Sequence, residues 1–218
     1  MRFGKRMLCG LYALFMIFAA TACSSQGQEQ SASASAGSQE AAASSELSSS
    51  EAAESTGENA IENAIVVYFS VTGNTEEAAG YIADSIGADI YEITPAEEYT
   101  SDDLNWNDHE SRVSVEHENP DSRPEIAGEL PDLSGYDTIF LGYPIWWGEA
   151  PNIVRTFMES VDISGKTVVP FCTSSPSGLG SSAETLQQFA PEADWAEGHR
   201  FSSNVDEADV EEWINSIN

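Results

Sequence analysis

Beyond residue 60 the apolar and polar positions fall into blocks whose period changes repeatedly. Residues 65–69 form a short apolar, β-rich run, which predicts a fully buried strand. Ala78, Ala79, Ile82, Ala83 and Ile86 then recur at helical spacing and leave Glu76, Glu77 and Asp84 for water, predicting a helix from Glu76 onward. Residues 88–94 and 137–143 read as second and third strands. Ile153, Val154, Phe157 and Met158 mark a helix over 151–160, with Pro151 tolerated in its first turn. A fourth strand is predicted over 166–171, a short helix around Thr185, Leu186 and Phe189, and a weaker fifth strand over 195–201. Val210, Trp213, Ile214 and Ile217 line a last helix begun by Asp206. Residues 95–134, which include Trp106, His109 and His117, are acidic and poorly periodic, and no element is predicted there. Strands alternating with helices through right-handed crossovers give an α/β fold, a parallel sheet with helices on both faces. Ligands of such sheets bind beyond the carboxyl ends of the strands.

The start of the chain has a different character. Arg2, Lys5 and Arg6 precede an apolar run over 7–20, followed by Thr21, Ala22 and Cys23. This describes an export signal over 1–22, too short to span a membrane as mature structure. The cysteine after small residues resembles a bacterial lipoprotein lipobox, with Ala20 standing where a branched residue is usual. The resemblance implies cleavage before Cys23, acylation of its thiol, and an extracytoplasmic protein lipid-anchored to the bacterial cell membrane. Residues 23–60 are Ser, Ala, Gln, Glu and Gly with almost no large apolar side chain, so a disordered tether is expected. Residues 61–218 are then one domain, long enough for one good core.

Three loops after predicted strands carry unusual chemistry. Ser70-Val-Thr-Gly-Asn-Thr75 is almost entirely hydroxyl, glycine and amide, and it opens a helix. Free backbone N–H groups and the positive helix end converge there, which makes an anion site. No lysine is present and the glycine pattern is not that of a pyrophosphate loop, so the donors suit a single terminal phosphate. Gly142-Tyr-Pro-Ile-Trp-Trp-Gly-Glu149 sets Trp146 beside Trp147, which suits a loop presenting flat rings to a flat ligand. Cys172-Thr-Ser-Ser-Pro-Ser-Gly-Leu-Gly-Ser-Ser182 is a small-residue loop able to lay backbone amides along a ring edge.

These three motifs, in this order, resemble the flavodoxin superfamily, in particular bacterial flavodoxin-like proteins with a Pro-Ile-Trp-Trp-Gly loop. The likeness spans the domain, including Gly198-His-Arg-Phe201 and Glu212-Trp-Ile214. It implies a doubly wound five-stranded parallel sheet of order 2-1-3-4-5 and an FMN cofactor. Ser70, Thr72, Gly73, Asn74 and Thr75 would hold the phosphate. Pro144, Ile145, Trp146, Trp147 and Gly148 would flank the isoalloxazine ring. Thr173, Ser174, Gly178 and Gly180 would line its other edge. Residues 95–134 match no motif.

Charge narrows the partners. Without Arg2, Lys5 and Arg6 the chain keeps five basic residues against 37 acidic ones. That excludes nucleic acid, whose phosphates need Lys and Arg, and fits a basic redox partner protein or a small-molecule electron acceptor. Carboxylates and apolar walls disfavour an anionic reduced ring, so a low-potential one-electron carrier is expected. An FMN-dependent NAD(P)H quinone or nitro-compound oxidoreductase, and a cofactor-free binding lipoprotein, are the alternatives. No catalytic acid or base stands out, and His109 and His117 make a poor metal pair, so no metal is expected. With Cys9 in the leader and Cys23 lipidated, Cys172 has no disulfide partner.

Overall fold

The computed structural model describes residue 61 and residues 63–217; the expected leader, tether and Cys23 lie outside the described residues. The elements run in the order β1 (Ala64–Tyr68), α1 (Asn74–Ile86), β2 (Asp89–Glu92), α2 (Arg112–Glu118), β3 (Thr138–Pro144), α3 (Asn152–Ser160), β4 (Thr167–Thr173), α4 (Ser182–Gln187), β5 (Asp194–Trp195), β6 (His199–Phe201) and α5 (Glu207–Ile217). All strand pairs are parallel, in the order β2-β1-β3-β4-β5, with β6 also on β4. This is the expected doubly wound 2-1-3-4-5 sheet.

The central strands are buried on both faces, as their unbroken apolar runs require. Alternate residues serve opposite sides. Val66, Phe140, Val169 and Phe171 face α1 and α5, where they meet Ile82, Val210, Trp213 and Ile214. Val67, Leu141, Val168 and Cys172 face the other layer, with Ile153, Phe157 and Leu186 of α3 and α4. Gly142 lies where a Cβ would come within 2.2 Å of the Phe171 ring, so no larger residue fits.

Two features differ from the sequence expectation. The fifth strand is broken in two. β5 pairs with Thr167 and Val168, β6 with Phe171, Cys172 and Thr173, and nothing pairs in between. The cause is Pro170. Val168 turns its carbonyl toward Ala196 (2.9 Å), so the residue two further on faces the same way, and Pro170 has no N–H to offer there. Gly198 passes the gap, where a Cβ would sit 2.8 Å from the proline ring. The second difference is α2, inside the segment for which no element is predicted. Ser111 caps it, accepting from Ser114 N at 3.4 Å. The segment is tied back on itself by Ala96 N to Glu125 O (2.8 Å) and Ala127 N to Thr94 O (2.8 Å).

Candidate functional site

The loops that follow β1, β3 and β4 meet beyond the carboxyl end of the sheet. Thr75, at the start of α1, is 1 % exposed, and its hydroxyl lies 2.7 Å from that of Thr173 at the end of β4. Ile145 N donates to Thr173 O at 3.3 Å. Gly180 packs on the carbonyl of Gly148, which a Cβ there would approach to 2.9 Å. Thr75 and Thr173 therefore clamp two of the loops together below the surface.

Above the clamp, Gly73 stands at the N-cap of α1 with φ 86°, and no side chain caps the helix. Glu77 N is the first to bond back, to Gly73 O at 2.9 Å. The N–H groups of Asn74, Thr75 and Glu76 thus have no acceptor within the helix. Ser70 Oγ accepts from Gly73 N (3.2 Å) and Thr72 Oγ1 from the Asn74 amide (3.2 Å), which curls the loop around this point. The surroundings are acidic. The Glu92 carboxyl is raised by burial and then by Glu76. The Tyr68 phenol is pushed up to about 12 by burial, with Glu92 and Glu76 adding to it.

The tryptophan loop is a tight turn. Trp146 N donates to Glu149 O (2.9 Å) and Glu149 N to Trp146 O (3.0 Å). Trp147 (φ 48°) and Gly148 (φ 85°) both take positive φ, the signature of a type I′ turn. The two indoles consequently part company. Trp146 packs inward, edge-on to Phe69 (5.8 Å) and Tyr99 (5.6 Å). Trp147 projects outward, 44 % exposed, and stacks on His117 at 4.6 Å and 11°. Ile145, Trp146 and Trp147 form one wall of a cleft of about 500 Å³, within the range of small-ligand sites. Ser174 to Ser177 form the facing wall. Gly178 is exposed and, like Gly180, lies outside the cleft lining. Pro144 ends β3, in register with Thr173.

Several contributors to the site lie in the middle segment. Leu104, Trp106 and Val113 complete the cleft. Tyr99 braces Trp146, donates to Glu116 Oε2 at 2.7 Å, and carries the Arg112 guanidinium 3.9 Å over its ring. Burial and then the bond to Glu116 push its phenol up, so it stays neutral. No local pattern in the sequence marks these residues as part of the site. Arg200 is the other addition. Its Nε donates to Ser174 Oγ at 3.2 Å and its Nη2 to the carbonyls of Ser174 and Ser175, which pins the cleft loop. His199 instead stacks on Trp213 (5.1 Å). Cys172 is fully buried and its thiol is pushed up to about 12 by burial, so it stays protonated beneath the cleft. Among the described residues no group of three metal-ligating side chains comes together.

The sequence profile of the flavodoxin family matches residues 63–217, and the chain belongs to that family. Among solved structures it is similar to a candidate flavoprotein from Bacteroides eggerthii, at 44 % identity and a TM-score of 0.66, over 71 % of this chain and 97 % of that one. A second candidate flavoprotein, from Bacteroides uniformis, matches at 42 % identity and a TM-score of 0.68, over 70 % and 97 %. A flavoprotein from Lactobacillus acidophilus, solved in complex with FMN, shares the fold at 19 % identity and a TM-score of 0.53, over 69 % and 97 %. Comparison with curated proteins gave no match.

Proposed function

We propose that this protein binds FMN and transfers electrons from the outer face of the bacterial cell membrane, to which a lipid on Cys23 anchors it. The observation that carries the flavin reading is the uncapped start of α1, ringed by neutral donors and set beside an aromatic cleft. A phosphate satisfies the free N–H groups, and the positive helix end favours its charge. Hydrogen bonds to a charged group contribute about 1.5–3 kcal/mol each, while more distant carboxylates are screened over about 8–10 Å. The donor set therefore fits a dianionic tail, and the cleft fits a flat ring. Family membership and the likeness to the two candidate flavoproteins from Bacteroides support a bound flavin.

In this reading Ser70, Thr72, Gly73, Asn74 and Thr75 hold the phosphate. Ile145, Trp146 and Trp147 flank the ring between Pro144 and Gly148. Thr173 and Ser174 lie along its other edge, in the loop that continues through Gly178 and Gly180. The flavin supplies the electron-accepting chemistry when bound, and the chain supplies position and field. Trp106, Ile145 and Trp146 exclude water from the ring, and Arg200 holds the facing loop. Tyr99 and Cys172 keep their protons, so neither adds charge beside the ring.

Titration of the purified chain with FMN tests this directly. Uptake should quench the flavin fluorescence with one equivalent bound. Undiminished fluorescence in the presence of excess protein refutes the reading. The anchor has its own test: Cys23→Ser should move the protein from the membrane fraction to the soluble one.

A further inference from the structure

A second cavity, of about 510 Å³, adjoins the cleft and shares Val113 and Trp146 with it as walls. Two of the five basic residues outside the expected leader, Arg123 and Arg155, line it. Arg123 is fully used: it grips Glu159 through two bonds of 2.7 and 2.9 Å. Arg155 is not. It is 9 % exposed, yet its Nε has no hydrogen-bond partner. Its Nη1 reaches Pro120 O only at 3.5 Å, and its Nη2 stands 3.6 Å from Glu149 Oε2. That oxygen is itself buried without a hydrogen bond, although Oε1 of the same carboxylate accepts from Ser181 at 2.9 Å.

A loosely joined ion pair, with Arg155 Nε and Glu149 Oε2 each lacking a hydrogen bond, thus stands in one cavity wall. Native proteins rarely leave such groups unmatched. The pair also selects what answers it. A carboxylate would meet Glu149, in a chain of formal charge −29; an ammonium would meet Arg155. A neutral group with an acceptor beside a donor meets both. The nearby walls, Trp146, Pro151 and Phe189, suit a flat apolar body.

We propose that this cavity binds a small, flat molecule bearing a primary carboxamide, its carbonyl accepting from Arg155 and its amino group donating to Glu149. The site is separate from the flavin cleft and does not rest on FMN binding. It gives the chain a second ligand next to Trp146, so occupancy would be felt at the ring wall.

Benzamide, benzoate and benzylamine are suitable probes, titrated calorimetrically into the full chain with and without FMN. Benzamide should bind at one site, about tenfold or more tighter than either charged analogue. Arg155→Lys keeps a cation beside Glu149 but removes the planar donor edge. It should weaken benzamide about tenfold or more, the loss of one hydrogen bond to a charged group. Glu149→Gln should weaken it less, because its amide oxygen still accepts. The thermal melt of each variant checks that it folds. Four results would overturn the proposal: no benzamide binding by the folded chain, preference for benzoate or benzylamine, indifference to both variants, or displacement of benzamide by FMN. Benzamide binding in a chain that ignores FMN would sink the flavin reading and leave this one standing.

Discussion

At the scale of single residues, the proposed phosphate loop works against its own neighbourhood. Glu92 has a carboxyl raised above its ordinary value by burial and by Glu76. A raised carboxyl favours the protonated form in the folded protein, so Glu92 costs stability as the pH rises through that pKa. Its charge also opposes an incoming phosphate. Glu92→Gln should therefore stabilise the fold slightly at pH 7 and tighten FMN about two- to threefold, the scale of one partly screened charge. Near pH 4 the two proteins should converge, because wild-type Glu92 then gains its proton. Parallel FMN titrations at the two pH values check both statements. Trp147 shows a different residue-level constraint. With φ at 48° it occupies a conformation costly for a side chain other than glycine, and its stack on His117 holds it there.

Elements come next, and here the loops matter more than the strands. Arg200 reaches from β6 to three acceptors in the loop after β4. Arg200→Met should lower the melting temperature of the FMN-free protein and weaken FMN about three- to tenfold, since the loop loses its three bonds and its ordering then draws on binding energy. Faster hydrogen exchange over 174–181 would accompany the loss. Most of these elements were legible in the sequence because their periods are strong: 65–69 and 139–143 are buried on both faces, and Ala78, Ala79, Ile82 and Ala83 form an unbroken helical stripe. The loop over 70–75 was legible as a polar turn opening a helix for a similar reason, since its composition allows little else. The break at Pro170 was readable in principle, but only once the partner strand and its hydrogen-bonding side were known. α2 was hidden because it is short and buries only Val113, Ser114 and Glu116, two of which are polar. Tyr99 and Trp106 were unassignable for the same reason. Their place in the site comes from a chain reversal, 95 against 126, that no local pattern encodes.

The whole molecule is dominated by negative charge, 37 acidic residues against eight basic ones. Nothing in the described fold neutralises it, and the proposed anion site must act in that field. Raising the ionic strength from 0.1 to 1 M shortens the screening length from about 10 to about 3 Å. FMN should consequently bind more tightly at high salt, by about two- to fivefold, opposite to the trend for a basic phosphate-binding protein. Equilibrium titrations across that range test the sign. The broken fifth strand has a consequence at this scale too. One flank of the sheet ends in fragments of two and three residues, and the other in the four residues Asp89–Glu92, carboxylates at both tips. Neither flank offers a run on which a neighbouring copy can template its own backbone. Dense packing of such molecules therefore carries little risk of fibril growth.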